Sequence, residues 1–340
     1  MSNNAWRTWC VFGVAFLLAL TQVHHILLFY ATSLNAHIEA AIGVTTGHPH
    51  WRVYQNRVLG PYLLKGLAGL LSGDYVAAYT MLMIASLTLA GYQAWRIGKL
   101  WGGDQVGWFA LVLLYLAFTF LFARTWLYLW DFIGLNIFLA FVGLIIHARP
   151  WYWLAALFAI AILNRDSGQF IALWLILEPV CRWLTRRPLS RRVALTMVAA
   201  GVICVAAGLW LIDYLRTALL LEEVGFNLVG GTPVGYGPDY FWNLPNNLNF
   251  LQRIWHAASL VDFVSVFLPL LAFLAGVFFV ALLAYRAVRY LALALTFAAA
   301  LVALLLFASV AETRVFMELI PLFILGSCLL VRPDGIAQAK

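Results

Sequence analysis

The chain reads as all-α: a polytopic transmembrane helix bundle of about ten spans, with a re-entrant or interfacial helix after the first. Three observations predict this class. Hydrophobic residues fill 64% of the 340 positions and charged residues only 10%, against about 25% charged in a soluble domain. Apolar runs long enough to cross a bilayer, about 20 residues of helix, recur along the whole chain. The charged residues collect in the short stretches between those runs. A mean hydropathy of +0.91 makes lipid the solvent for this chain. The net charge of +7 is spread over short loops, so it forms no nucleic-acid surface.

The spans follow in order. Runs of crossing length cover about 8–30, 76–97, 105–123, 126–147, 193–213, 262–285, 290–310 and 314–331. The first has one arginine ahead of it and no A-x-A cleavage site, so it is kept as a signal anchor. Between 151 and 184 lie two shorter runs, "WYWLAALFAIAIL" and "QFIALWLILEPVCRWL", separated by "NRDS". They make two short or tilted helices and bring the total to ten. The run "VLGPYLLKGLAGLL" (58–71) is too short to cross and carries Pro61 and Lys65, so it reads as interfacial or re-entrant. The whole chain, 1–340, forms one integral membrane domain, with 31–75 as a first outer loop and 214–261 as a long outer loop. The four cysteines lie in or beside apolar runs without CxxC spacing and read as small core residues.

Loop charge orients the bundle. With the N-terminus inside and 31–75 outside, the inner loops hold Arg7, Arg96, Lys99, Arg149, Arg182, Arg186, Arg187, Arg191, Arg192, Arg286, Arg289, Arg332 and Lys340. Their acids are Asp104 and Asp334. A full crossing by 58–71 would invert the first span, so the positive-inside rule supports a re-entrant helix. Both termini then lie in the cytoplasm.

The other ionisable groups gather at the outer face. They include the stretch "HPHWRVYQNRVLGP" (48–61), with Arg52, Tyr54 and Arg57, and also Arg124, Asp131, the "NRDS" turn with Asn164, Arg165 and Asp166, and "ETR" with Glu312 and Arg314 ahead of Glu318. Acids and arginines within a membrane are costly and usually face a cavity or a partner. Guanidinium forks bind phosphate in bidentate fashion. A carboxylate among them can take a proton from a hydroxyl. Arg57 stands just before a helix whose first turn suits Pro61, so a phosphate there would meet both the guanidinium and the helix dipole. Plainer readings exist for several of these residues. Arg314 and Glu318 stand at i,i+4 and fit a simple helical ion pair. Arg165 and Asp166 fit a solvated loop. His48-x-His50 is a weak metal pattern and fits hydrogen-bonded interfacial histidines. Asp131, flanked by "WLYLW" and "FIGL", is the hardest to read as bland. Glycines in "VGGTPVGYG" suggest a mobile outer loop, since no GxxxxGK[ST] or GxGxxG phosphate motif occurs there.

Taken together, these motifs resemble a known class. Arg57, Leu59 and Pro61 form an R-x-L-x-P start to a short helix after a first outer loop. Trp130 and Asp131 form a W/Y-D pair near the outer end of a later span. Asn164, Arg165 and Asp166 split a pair of short helices. Glu312, Arg314 and Pro321 form a late outer turn. The pattern covers most of the chain and resembles bacterial polytopic glycosyltransferases of the GT-C class. The resemblance implies an active site on the extracytoplasmic face of the bacterial inner membrane. It implies a polyprenyl-phosphate sugar as donor and a lipid-linked glycan, polymer or protein as acceptor. It also implies an essential first-loop acid, usually Asp; here the only acid between 31 and 73 is Glu39. Glu39, Asp131 or Asp166 would then be the base, or the chemistry is lost. The expected site has Glu39 and Asp131 as catalytic groups, with Arg52, Tyr54, Arg57, Arg124, Arg165, Asp166, Glu312 and Arg314 around the substrate. No metal-binding motif stands out, though an acid pair could hold a divalent ion, and no other cofactor is indicated.

Two other functions compete. A lipid or glycolipid transporter would place charges through the midplane, but the runs 193–213, 262–285 and 290–310 are nearly free of polar groups. A non-catalytic partner in an envelope-glycan assembly is kept alive by the missing first-loop Asp.

Overall fold

The computed structural model of the chain describes residues 3–29, 31–122, 127–187, 189–221, 224–226, 233–235, 242–257, 260–283 and 287–331. Its described residues form thirteen α-helices. They are α1 (Asn3–Phe29), α2 (Leu34–Thr46), α3 (Leu59–Leu70), α4 (Tyr75–Gly102), α5 (Asp104–Phe122), α6 (Leu129–Ile146) and α7 (Trp151–Asn164). Then come α8 (Gln169–Leu184), α9 (Arg191–Ala218), α10 (Leu244–Ala257), α11 (Leu260–Leu282), α12 (Val288–Phe307) and α13 (Ile320–Val331). Single-turn 3₁₀ segments Arg52–Tyr54 and Asp166–Gly168 and a longer one, Thr313–Leu319, sit between helices. Two three-residue strands, β1 (Val224–Phe226) and β2 (Pro233–Gly235), pair antiparallel with Val224 opposite Gly235.

Among the described residues, seven helical stretches are long and apolar enough to cross a membrane: Ala5–Phe29, Tyr75–Gly102, Asp104–Leu121, Leu129–Ile146, Arg191–Ala218, Val288–Phe307 and Thr313–Val331. That make-up is one of an integral membrane protein. Trp151–Asn164 and Pro269–Leu282 are shorter apolar helices. The count by length is therefore seven, short of the ten expected. At 12 residues, α3 is about 18 Å long and too short to cross alone.

Helix termini follow local chemistry. Asp74 caps α4 by accepting from the Ala77 amide at 2.9 Å, and Gly47 ends α2 in the left-handed conformation at φ 78°. A Cβ at Gly47 would also strike Leu221 and the Leu219 carbonyl, which brings the end of α9 against the first loop. The Leu221 amide completes that contact by donating to the Gly47 carbonyl at 2.9 Å.

Small residues let the long helices approach. A Cβ at Gly98 of α4 would lie 2.4 Å from the Val106 carbonyl oxygen of α5, so only glycine permits this contact. The spans are buried unequally. Within its most apolar window, α6 is 67% buried and the 313–331 stretch 72%, against 28% for the first span and 22% for α9. The former pair therefore forms the centre and the latter pair the lipid-facing margin. At one end of the bundle, Arg7 and Lys99 both meet Asp104. At the other end, the segments before α3, α6 and α13 converge with the α7–α8 turn and the last turn of α9.

Two boundaries differ from expectation, the first because a polar cap outweighs the apolar pattern, the second because Asn56 and Asp166 hold Arg216. The fourth apolar run becomes helical only at Leu129, so Asp131 lies in the first turn of α6. The helix α9 continues to Ala218, which puts Arg216 in a helix rather than in the long loop. The rest of that loop holds α10 and the β1–β2 pair. The glycine-rich stretch predicted to be mobile lies outside the described residues except for 233–235.

Candidate functional site

The convergence point is built around Asp131. Tyr128 is the N-cap of α6, and its amide donates to Asp131 Oδ2 at 2.9 Å in a reciprocal cap. The cap fixes the carboxylate, whose side chain is fully covered. Two arginines from distant elements close on it. Arg165 Nη1, from the α7–α8 turn, lies 3.2 Å from Oδ1, and Arg314 Nη1, from the 3₁₀ segment, lies 3.3 Å from Oδ2. Arg314 continues to Glu312, and Arg165 lies 3.5 Å from Glu318 Oε1. The Ser167 hydroxyl donates to that same oxygen at 2.7 Å.

A second knot joins the first one through neighbouring residues. Asp166 accepts from the Asn56 side-chain amide on one oxygen and from Arg216 Nη2 at 2.6 Å on the other. Arg216 Nε also donates to Asn56 Oδ1 at 3.2 Å. The loop before α3, the α7–α8 turn and the end of α9 are thereby held as one unit. Asn164 anchors the same turn by donating to the Trp130 carbonyl at 2.9 Å.

Aromatic rings floor the site. Tyr128 and Trp130 stack at 4.6 Å, and Tyr54 packs against both, at 5.5 and 5.1 Å. The Arg314 guanidinium carbon lies 4.7 Å from the Tyr128 ring centre. That of Arg57 lies 4.5 Å from Tyr54 and 5.2 Å from Trp130. His37 of α2 meets Tyr128 edge-on at 5.4 Å. Burial, reinforced by Arg314, drops the His37 imidazole to about 4, so it is neutral at pH 7. Burial also raises the Tyr128 phenol well above its ordinary value.

Arg57 differs from the other arginines of the site. Its Nε and Nη1 are buried without hydrogen-bond partners, and so is the Trp130 indole N–H. Burial first, and then repulsion from Arg165, lower its pKa to about 10, with Asp166 opposing. Unmatched guanidinium donors near a second guanidinium are what an anion would satisfy.

The expected residues divide as follows. Tyr54, Arg57, Asp131, Arg165, Asp166, Glu312 and Arg314 come together. Arg52 opens the 3₁₀ turn that presents Tyr54. Arg124 lies outside the described residues. Glu39 stands apart: it is exposed on α2 and lines a separate cavity of about 380 Å³ with Asn35, Ile38, Ile42 and the Gly73–Val76 stretch. The buried face of α2 carries His37, Ala40, Ala41 and Val44, which leaves Glu39 on the other side. Arg314 does not pair with Glu318, as i,i+4 spacing had suggested. Thr313–Leu319 is a 3₁₀ helix, in which i and i+3 align instead.

Asn56, Ser167 and Arg216 were not singled out from the sequence. Arg216 had a usable signal: a cation, with Asp213 three residues before it, at the end of an apolar run, "LWLIDYLRTA". Asn56 and Ser167 had none. Among the described residues no group of three His, Cys, Asp or Glu side chains could hold a metal ion. No family model matches the chain, and neither a curated protein nor a solved structure is significantly similar to it.

Proposed function

We propose that the chain is a membrane glycosyltransferase that moves a sugar from a polyprenyl-phosphate donor to a lipid-linked glycan, polymer or protein acceptor. One observation carries the reading. Arg57 lies against two aromatic rings with two buried donors unsatisfied, close to Arg165. A donor phosphate would occupy those N–H groups, and its charge would grow as the sugar leaves. Asp131 then acts by positioning, because its side chain is fully covered and both oxygens are engaged by Arg165 and Arg314. Asp166 is the better base. Its side chain is 40% exposed, it lies near Arg57, and Asn56 and Arg216 fix its orientation. It would accept the acceptor hydroxyl proton while the C–O bond to the donor phosphate breaks, with inversion at the anomeric carbon.

The reading carries a topology. α1, α4–α9 and α11–α13 make ten crossings, α3 is re-entrant, both termini are cytoplasmic, and the site opens to the extracytoplasmic side of a bacterial inner membrane. The end-to-end segregation of Asp104 from Asp131 supports it. A reporter fused at residue 55 should report the extracytoplasmic side.

The test uses the full chain in detergent with polyprenyl-phosphate sugars and a crude lipid-glycan acceptor. Asp166→Asn should lose roughly 10²–10⁴-fold in transfer, and Arg57→Ala roughly 10²–10³-fold. Transfer at wild-type rate by both variants would overturn the assignment. Translocation of the lipid by wild type without any sugar transfer would favour a transporter.

A further inference from the structure

At the opposite end of the bundle, a cavity of about 300 Å³ lies between α1, α4 and α5, lined by Arg7, Cys10, Val11, Trp95, Asp104 and Trp108. Its charges do not cancel. Arg7 Nη1 lies 2.6 Å from Asp104 Oδ2 and Lys99 Nζ lies 2.9 Å from Oδ1, so two cations share one carboxylate. Both cations remain partly open to the outside, with side chains 61% and 39% exposed. Each therefore keeps N–H donors beyond the one given to Asp104. Trp95 supplies a second and independent observation. It is 4% exposed, and its indole N–H has no acceptor. The Lys99 ammonium sits 4.5 Å from the same ring. A small anion entering the cavity would be met by Arg7, which lines it beside the Trp95 ring, and by Lys99, which reaches the same Asp104 from outside the lining.

The depth of the cavity says which anion is at hand. Arg7 is flanked on α1 by Trp6 and Trp9, exposed by 64% and 65%, at one end of the Ala5–Phe29 apolar stretch. Exposed tryptophans at the end of a long apolar helix mark headgroup level. The anion present there at high concentration is a phospholipid phosphate. We propose that this cavity binds the phosphate of an anionic phospholipid headgroup, and that a zwitterionic headgroup is refused because its cationic end would face Arg7 and Lys99. The inference rests on the membrane character of the chain and not on the transferase reading.

The test is native mass spectrometry of the full chain released from detergent with equal amounts of phosphatidylglycerol and phosphatidylcholine. Phosphatidylglycerol should be retained over phosphatidylcholine, and Arg7→Ala and Lys99→Ala should each cut its retention about fivefold. Trp95→Phe should weaken it without touching charge. Asp104→Asn, which keeps both cations and frees them, should raise it, and this arm decides the matter if the alanine variants unfold. In a parallel arm, millimolar inorganic phosphate should leave lipid retention unchanged; displacement would assign the cavity to a soluble anion and overturn the lipid source. Equal retention of the two lipids, or no gain in Asp104→Asn, would overturn the site itself.

Discussion

Replacing Asp131 by alanine tests how the converged end of the bundle is held. The carboxylate is fully covered and stands between two guanidiniums, at 3.2 and 3.3 Å. Removing it leaves two like charges facing each other in a site with little water. Breaking a buried pair by deleting one partner costs about 3–5 kcal/mol. Both contacts are longer than the 2.7–2.9 Å of tight charge-assisted pairs, which argues for the low end, about 3 kcal/mol. Losing the reciprocal cap on the Tyr128 amide adds about 0.5–1 kcal/mol. For a chain this long, about 2 °C is lost per kcal/mol, so the melting temperature should fall by about 7–8 °C. Tryptophan fluorescence during thermal unfolding in detergent would read it. Asp131→Asn keeps an acceptor for the cap and should fall in between. The double variant Asp131→Ala, Arg314→Ala should lose at least about 1 kcal/mol less than the sum of the single losses, because the orphaned guanidinium is gone. Strict additivity, or an Asp131→Ala protein that melts with wild type, would refute the claim that this carboxylate holds the site together.

Other consequences follow from the same geometry. Arg216→Ala strips Asp166 and Asn56 of a buried partner and should destabilise by about 3 kcal/mol, measured by the same melts. His37, facing Tyr128, Arg314 and Asp131, is neutral when folded, with its pKa lowered from 6.5 to about 4. The unfolded chain therefore takes up a proton first as pH falls, so stability is full above pH 6.5 and is lost between 6.5 and 4, by up to about 3 kcal/mol. A His37→Gln protein should show a flatter stability profile over that window, and an unchanged profile would exclude this histidine as the cause.

Much of the fold was legible in the sequence because apolar length is a one-dimensional signal. Lipid demands that backbone groups pair within each crossing, so a run such as 290–310 can hardly be anything but a helix. Ends were less legible. The start of α6 depends on the Tyr128–Asp131 cap, and the apolar pattern runs on through it. The site was visible as a class of residue at one end, since intramembrane charge is rare enough to notice. Its pairing was not visible. The choice of Asp131 over Glu318 as the partner of Arg314 depends on a 3₁₀ segment that no period in "ETRVFMELIP" announces. The position of Glu39 depends on which face of α2 packs. His37, Ala40, Ala41 and Val44 decide that only once Tyr128 is there to receive the histidine.

Charge balance at the site gives the sharpest test of the transferase reading. Among the described residues, Arg57, Arg165, Arg216 and Arg314 face Asp131, Asp166, Glu312 and Glu318, four cations to four acids. Affinity for a phosphate therefore cannot come from net charge. It must come from the unmatched Arg57 and Trp130 donors. Asp166 lies near Arg57 and is itself negative, so it opposes a phosphate in the ground state while being the proposed base in the reaction. Asp166→Asn should then split two properties that usually fall together. Binding of polyprenyl phosphate should tighten by a few-fold, because one repulsive charge is removed near a buried cation. Transfer should drop by roughly 10²-fold or more, because no group remains to take the proton. Asp131→Asn should instead weaken binding and stability together, since it loosens the arginines that shape the site. Equilibrium binding and turnover measured on the same preparations separate the two variants. If Asp166→Asn weakens binding in step with transfer, the carboxylate is a structural partner of Arg216 and the base lies elsewhere.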